Sequence, residues 1–180
     1  PIIDIETGEV LALEALLRWQ HPEKGLIKPD YFIDIAEQTG QLTDIGNWVI
    51  KNACLQGRAI HQWSHSPIQI ALNLSNKQFI HPRLVEMIKS ICSETHFNPR
   101  NLILEMSESA ITHNMELSYT TLNNLNALGV SLTIDGFGTG LSSLRQLKSI
   151  PIHMIKIDRT FVKGIPGDES DMAITETLLA

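Results

Sequence analysis

Apolar positions along the chain recur with two different periods, and each period predicts a different kind of element. Alternation of apolar and polar residues, or a short apolar run bounded by turn residues, predicts a strand. Strands are predicted at residues 2–5, 10–17, 68–74, 102–106, 130–134 and 154–157. Apolar residues three or four positions apart predict a helix. Helices are predicted at residues 30–37, 42–56, 82–93, 115–128 and 141–147, and from residue 168 onward.

Turn and capping residues separate these elements. Thr7 and Gly8 lie between the first two strands and predict a hairpin, so these strands should be antiparallel. Proline and glycine residues make residues 21–29 a predicted loop, after which Asp30 is a suitable N-cap for the first helix. Gly129 directly follows the predicted helix at residues 115–128, at the position where glycine commonly terminates a helix. Beyond the hairpin, strands alternate with helices, which predicts parallel pairing and an α/β fold.

Length and composition limit the possible architectures and partners. The chain has 180 residues, 43% of them hydrophobic, which suits one globular domain. A complete eight-stranded barrel usually needs about 250 residues, so the chain is too short for one. The net charge is −6 without a basic block, which argues against a DNA or RNA duplex as the main partner. A small anionic ligand remains compatible with this charge.

Cysteine usage and hydropathy indicate the cellular setting. Cys54 and Cys92 are far apart in sequence and lack CxxC spacing, which favours two buried or half-buried thiols in a reducing compartment. No apolar run approaches the ~20 residues that a membrane-spanning helix needs. No signal peptide is visible, and the chain opens at Pro1 as if within a longer protein. We therefore expect this domain to be cytoplasmic. This expectation is compatible with a membrane anchor elsewhere in the full-length protein.

Polar side chains collect at the carboxyl ends of the predicted strands. Residues two apart on a strand share a face, and each strand has one apolar face and one that becomes polar toward its carboxyl end. The polar residues in question are Glu14, Asn73, Ser75, Glu105, Ser107, Thr133, Asp135, Lys156 and Asp158. In a parallel barrel these ends meet at one mouth, where barrel enzymes place their chemistry.

Several carboxylates and an amide oxygen in one mouth would repel one another or lack partners unless a cation lay between them. Ligation by oxygen alone favours Mg²⁺, Mn²⁺ or Ca²⁺ over zinc. The alternative is that each carboxylate is a helix cap or a solvated charge, the commoner role for a single acidic residue at a strand end. The same pattern on five strands favours the metal site.

Six segments resemble, in order and across the whole chain, the sequence blocks of the EAL domain family. They are residues 14–19 (EALLRW), 21–37, 73–79 (NLSNKQF), 105–109 (EMSES), 135–144 (DGFGTGLSSL) and 156–162 (KIDRTFV). The resemblance implies a modified (β/α)8 barrel of the TIM type, with an antiparallel first strand and here truncated at both ends. It also implies hydrolysis of cyclic di-GMP to the linear dinucleotide in bacterial signalling, with Mg²⁺ or Mn²⁺ as cofactor.

The resemblance assigns roles by position. The metal ligands would be Glu14, Asn73, Glu105 and Asp135, with Asp158 at the metal site or orienting the water. Lys156 would hold or help deprotonate the attacking water, which makes Lys156 and Glu14 the candidate catalytic residues. Arg18 would contact a substrate phosphate, although an exposed salt bridge is an equally common role for arginine. Glu108 would anchor the loop that begins at Asp135.

The chain departs from the family pattern at two positions. Gly136 stands where the family has a second aspartate, which in the resembling enzymes binds a second metal ion. Glycine supplies no ligand, so the affinity of the second site and any two-metal activity should fall. Leu141 stands where the family has a tyrosine, in a loop implicated in dimer contacts and signalling.

The resemblance also implies segments outside these 180 residues. A substrate-contacting glutamine would precede Pro1, and about two further strand–helix units would follow Ala180. An open barrel would expose strand edges, so we expect the 180 residues alone not to form a stable monomer. The resemblance implies a homodimer and accompanying sensor or cyclase-like domains, which would be partners here.

Three functions compete at this point. The first is a metal-dependent cyclic-di-GMP phosphodiesterase, favoured by the matching residues Glu14, Asn73, Glu105, Asp135 and Lys156. The second is a receptor that binds cyclic di-GMP without hydrolysing it, favoured by Gly136. The third is a scaffold or dimerisation module, which would have no need of four matching metal ligands.

Overall fold

The computed structural model describes residues 1–64, 67–112, 115–138 and 150–179. The strands are β1 (Ile2–Ile3), β2 (Val10–Ala15), β3 (Trp19–His21), β4 (Gly25–Ile27), β5 (Gln69–Asn73), β6 (Leu102–Ser107), β7 (Ser131–Phe137) and β8 (Met154–Ile157). The helices are α1 (Ile33–Gln38), α2 (Leu42–His61), α3 (Asn76–Phe79), α4 (Leu84–Thr95), α5 (Glu108–Thr112), α6 (Met115–Ala127), α7 (Arg159–Val162) and α8 (Glu169–Leu179). Short 3₁₀ turns cover Pro29–Tyr31 and Pro99–Asn101.

Six strands form one sheet in the order β1-β2-β5-β6-β7-β8. β1 pairs antiparallel with β2. Every later pair in this sheet is parallel. Helical segments lie between β2 and β5, between β5 and β6, and between β6 and β7, as is usual for parallel connections. The predicted hairpin and the α/β barrel-type fold with an antiparallel first strand are confirmed.

The two faces of the sheet differ as the two-residue period predicts. The face beneath α2, α4 and α6 carries the main hydrophobic core, whose strand residues include Leu72, Leu104, Leu132 and Ile134, each at most 1% exposed. The opposite face carries a smaller apolar cluster of Ala12, Ala71 and Ile103. On the same face, the residues two positions nearer the carboxyl ends of these strands are polar.

Helices α2 and α4 cover the main core side by side. Lys51 of α2 and Glu94 of α4 form an ion pair of 2.9 Å across the exposed side of this contact. Cys54 and Cys92 are buried on the same two helices, and neither forms a disulfide. The prediction of free, buried or half-buried thiols is confirmed, and both are buried.

Two predictions near the start of the chain are wrong. Residues 21–29 are not simply a loop, because β3 and β4 pair as an antiparallel hairpin with Trp19 opposite Ile27. Strands of three residues are too short to show a period, so the sequence pattern could not reveal them. Asp30 is not an N-cap, since Pro29 starts a 3₁₀ turn and α1 begins only at Ile33, after Phe32.

Short helices follow the carboxyl ends of three strands of the large sheet. These are α3, α5 and α7, of four or five residues each, which the sequence pattern does not predict. The predicted helix at residues 141–147 lies outside the described residues. Within the described ranges, none of the helices combines the length and the apolar character needed to cross a membrane.

Candidate functional site

The carboxyl ends of β2 and β5 bring Glu14 and Asn73 together. Glu14 lies opposite Ala71, so Asn73 is two residues further along β5 and projects from the same face. The Asn73 side-chain amide Nδ2 donates a hydrogen bond of 2.8 Å to Glu14 Oε1. This bond restricts the orientation of the Glu14 carboxylate.

Lys156 connects this pair to the neighbouring carboxylate of Glu105. Glu105 is the cross-strand partner of Asn73, and only 1% of it is exposed. Lys156 Nζ lies 2.5 Å from Glu105 Oε1 and 3.4 Å from Glu14 Oε2. One ammonium group therefore lies between carboxylates of β2 and β6, although β8 is the opposite edge of the sheet from β1.

Burial and the neighbouring charges both affect the pKa of Glu105. Burial raises the pKa of Glu105 above its ordinary value of 4.5, and the negative charges of Glu14 and Asp135 raise it further, while Lys156 opposes them. Burial alone would lower the pKa of Lys156, but the carboxylates of Glu105 and Glu14 outweigh it and raise that pKa. Lys156 therefore remains an ammonium cation at neutral pH.

Two buried oxygen atoms in this region have no hydrogen-bond partner among the residues that the structure describes. One is Oε2 of Glu105 and the other is the hydroxyl Oγ1 of Thr133, whose side chain is fully buried. Thr133 is the cross-strand partner of Glu105 on β7, so the two residues are neighbours on one face. The sequence pattern places Thr133 on this face but does not indicate that its hydroxyl lacks a partner.

The strand β7 is irregular where it reaches the site. Ile134 lies opposite Ile155 and Phe137 opposite Ile157, so three steps along β7 match two along β8 and form a bulge at Asp135 and Gly136. Gly136 has φ +67°, in the left-handed region that favours glycine. Its amide donates a hydrogen bond of 2.9 Å to Asp135 Oδ1. A Cβ atom at position 136 would lie 3.7 Å from Asp158 Oδ2.

Asp158 lies just beyond β8 and caps a short helix. Its Oδ1 accepts hydrogen bonds from the backbone N–H and the hydroxyl of Thr160, at 2.8 and 2.6 Å. These two bonds lower the pKa of Asp158 below its ordinary value. The capping role uses Oδ1, whereas Oδ2 is the oxygen nearest to position 136.

Glu108 holds the backbone beyond β7. It is 5% exposed at the start of α5, and its Oε2 accepts a hydrogen bond of 3.3 Å from the N–H of Gly138. This bond gives a physical basis for the predicted anchoring role. Residues 139–149, which include Leu141, lie outside the described residues.

Arg18 lies beside a large cleft rather than in the Lys156 cluster. The cleft has a volume of about 1300 Å³ and is bounded by the β3–β4 hairpin, α1 and the start of α2. Its walls include the aromatic rings of Trp19, Phe32 and Trp48 and the exposed side chain of Arg18. Trp19 packs edge-on against Phe32 with ring centroids 5.6 Å apart. The sequence pattern did not predict this cleft, because it depends on the unpredicted hairpin.

The residues of the cluster suit a hard divalent cation. Their donors are carboxylate and amide oxygens, the ligands that Mg²⁺ and Mn²⁺ prefer. Glu14, Glu105 and Asp135 carry three negative charges against the single charge of Lys156, and Glu105 Oε2 is a buried acceptor without a hydrogen bond in the described part of the chain. The described ranges contain no group of three or more His, Cys, Asp or Glu side chains already arranged to hold a metal ion. Cation binding would therefore draw these side chains together.

A curated relative and two solved structures that this chain resembles are named for the same nucleotide, cyclic di-GMP. The bifunctional diguanylate cyclase/cyclic di-GMP phosphodiesterase MucR of Pseudomonas aeruginosa is 41% identical over 180 residues, covering 100% of this chain and 26% of MucR. The solved PaMucR phosphodiesterase in complex with c-di-GMP has 42% identity and a TM-score of 0.88, covering 93% of this chain and 68% of that chain. The EAL enzyme Bd1971, with cAMP and cyclic-di-GMP bound, has 32% identity and a TM-score of 0.92. It covers 99% of this chain and 50% of the Bd1971 chain.

The match also holds at the level of the family. The chain spans about a quarter of the length of the curated relatives that it matches. Within that portion, the sequence model of the EAL domain matches residues 1–180. The strand order and the antiparallel first strand agree with this match. The chain belongs to the EAL domain family.

Proposed function

We propose that this chain binds cyclic di-GMP and hydrolyses it to the linear dinucleotide in a divalent-metal-dependent reaction. The observation that carries the proposal is the cluster of Glu14, Asn73, Glu105 and Lys156 at the carboxyl ends of β2, β5, β6 and β8. Relatives described as a cyclic di-GMP phosphodiesterase and as an EAL enzyme with cyclic di-GMP bound support the choice of substrate.

The carboxylates of Glu14, Glu105 and Asp135, with the amide oxygen of Asn73, would hold Mg²⁺ or Mn²⁺. When bound, such a cation neutralises charge on a phosphoryl group and lowers the pKa of a water molecule. Asn73 restrains Glu14 through their 2.8 Å hydrogen bond, so this ligand is oriented before substrate arrives. Asp158, near position 136, would orient the water or contribute at the edge of the site.

Lys156 and Arg18 would bind the negative charges of the substrate. The Lys156 ammonium remains protonated beside Glu105 and Glu14, where it can hold the attacking water or donate hydrogen bonds to a phosphate oxygen. Arg18 is exposed beside the large cleft and can contact the other phosphate. The aromatic walls of the cleft suit the stacking of a base, which every nucleobase permits.

A second candidate function rests on Gly136. A carboxylate at this position would project beside Asp158 Oδ2, and two neighbouring carboxylates could share a second cation. Glycine has no side chain to offer, so the site for this second cation lacks one oxygen ligand. A cyclic-di-GMP receptor that binds the dinucleotide and turns it over slowly would fit this difference.

The deciding experiment compares the full-length protein with its Gly136→Asp and Gly136→Asn variants. Asparagine is the matched control, because it has nearly the same size and the same tolerance of positive φ as aspartate but no charge. Binding of cyclic di-GMP is measured by calorimetry and the linear product by chromatography, with Mg²⁺ or Mn²⁺ present.

The results separate the candidate functions. Turnover by the native protein within about tenfold of Gly136→Asp, a difference of about 1.4 kcal/mol in barrier, supports the phosphodiesterase and excludes the receptor. Binding without turnover, restored by aspartate but not by asparagine, supports the receptor and contradicts hydrolysis by the native chain. Absence of binding in all three proteins would leave a scaffold role.

The cellular setting belongs to the same proposal. We infer a cytoplasmic domain that acts as a homodimer and accompanies sensor or cyclase-like domains. The name of the relative MucR, a bifunctional diguanylate cyclase/cyclic di-GMP phosphodiesterase, supports a cyclase-like neighbour. Sedimentation of the full-length protein tests the dimer, and a monomer at micromolar concentration would contradict it.

A further inference from the structure

The Lys156 ammonium occupies the space between two carboxylates that the proposed function assigns to a cation. Its Nζ atom is 2.5 Å from Glu105 Oε1 and 3.4 Å from Glu14 Oε2. The Glu105 side chain is fully buried, whereas 23% of the Lys156 side chain remains exposed. The lysine therefore reaches a buried carboxylate from a position that is open to solvent.

A divalent cation held by Glu105 and Glu14 would compete with this ammonium for the same two carboxylates. Mg²⁺ binds carboxylate oxygens at about 2.0–2.1 Å, closer than the ammonium nitrogen lies to Glu105 Oε1. Two positive groups on one carboxylate would repel strongly inside a partly buried site. The long, flexible stem of lysine lets the charged end move toward solvent, whereas Glu105 is confined by the core.

We propose that Lys156 is the internal counter-ion of this site: it holds Glu105 and Glu14 together without a divalent cation and leaves Glu105 when one binds. The inference rests on the proposed function, because it takes these carboxylates as metal ligands. The released ammonium then becomes available to the attacking water or a substrate phosphate. Lysine at this position thus stabilises the metal-free fold and weakens metal affinity. A residue that supports metal binding would instead strengthen that affinity.

The first test measures Mn²⁺ binding in the absence of nucleotide. Lys156→Met removes the charge and keeps most of the side-chain length, and Lys89→Met removes an equal charge from an exposed position on α4. By calorimetry, we expect Lys156→Met to bind Mn²⁺ about tenfold more tightly than Lys89→Met, since no counter-ion has to be displaced. Thermal unfolding should show a lower Tm for Lys156→Met without metal and a larger rise of Tm with it.

The second test uses the native protein, so it does not depend on the folding of a variant. Lysine amines are methylated with labelled formaldehyde and a reductant, and the label at Lys156 is quantified by mass spectrometry relative to Lys89. Addition of Mg²⁺ should increase the relative labelling of Lys156 several-fold as its amine leaves the ion pairs.

The outcomes distinguish this inference from the proposed function. Equal or weaker Mn²⁺ affinity in Lys156→Met, or unchanged labelling of Lys156 with Mg²⁺, would overturn the counter-ion role while the metal site stands. Failure of the native protein and both variants to bind Mn²⁺ would overturn the metal site itself and the inference with it.

Discussion

Two buried polar atoms at the centre of the sheet lack, within the described residues, the hydrogen-bond partners that such atoms usually have in a protein core. Buried polar atoms in folded proteins nearly always have a hydrogen-bond partner. Glu105 Oε2 and Thr133 Oγ1 have none within the described ranges, and they belong to cross-strand neighbours. An unsatisfied buried group costs about 1–3 kcal/mol of stability. For Glu105 this cost is consistent with a role in binding a cation.

Thr133 allows that cost to be measured directly. Thr133→Val replaces the hydroxyl by a methyl group of similar size, so the free energy of unfolding in urea should rise by about 1 kcal/mol. The control is Thr95→Val, because Thr95 is equally buried but its hydroxyl donates a 2.7 Å hydrogen bond to Ile91 O. Stability should fall in this control. A loss of stability in Thr133→Val as well would show that its hydroxyl has a partner.

At the scale of elements, close packing of a helix on the sheet positions the strands that carry the candidate site. Gly57 lies where α2 crosses β5, and a Cβ atom there would approach Ile70 Cγ1 to 2.6 Å and Phe97 Cε2 to 2.8 Å. Both neighbours belong to the main core, so neither can move away without repacking. The glycine therefore lets α2 lie close to the strand that ends in Asn73.

Replacement of this glycine should destabilise the fold although alanine favours helices. The gain in helix propensity is about 1 kcal/mol, whereas overpacking of a core costs about 1–3 kcal/mol and occasionally more. We expect Gly57→Ala to lower the free energy of unfolding, measured with urea. Gln56→Ala, at an exposed position of the same helix, should change it by less than about 0.5 kcal/mol. A stabilised Gly57→Ala would contradict the packing described for α2.

At the scale of the molecule, the site joins residues that are distant in sequence. Glu14 and Lys156 are 142 positions apart, and their contact requires β2 and β8 to lie on one curled sheet. A cation held by Glu14, Asn73, Glu105 and Asp135 would link four strands. Its binding to the folded state alone would add to the stability of the whole sheet.

Metal binding should therefore be visible in global unfolding. At a free Mn²⁺ concentration about one hundred times its Kd, the free energy of unfolding should rise by about 2.7 kcal/mol, and EDTA should reverse the rise. Glu14→Gln should abolish most of this gain, whereas Glu23→Gln, in the exposed turn between β3 and β4, should keep it. An equal gain in both variants would place the bound metal elsewhere.

Much of the architecture could be predicted from the sequence, because it depends on local periods. The alternation in β2, β5 and β6 predicts which residues face the helices and places Glu14, Asn73 and Glu105 together on the other face. The antiparallel start follows from the turn at Thr7 and Gly8. By contrast, the three-residue strands of the β3–β4 hairpin are too short to show a period, and the cleft beside Arg18 depends on that hairpin.

The sequence by itself determined the family, the α/β class, the faces of the strands and the residue types at the mouth. Each of these depends on the order and spacing of residues along the chain. Only the tertiary structure decided that Lys156 lies on Glu105, that Thr133 Oγ1 is left without a partner in the described chain, and that Gly136 occupies a bulge facing Asp158. These features depend on strand register and on contacts between distant residues, which no local period encodes.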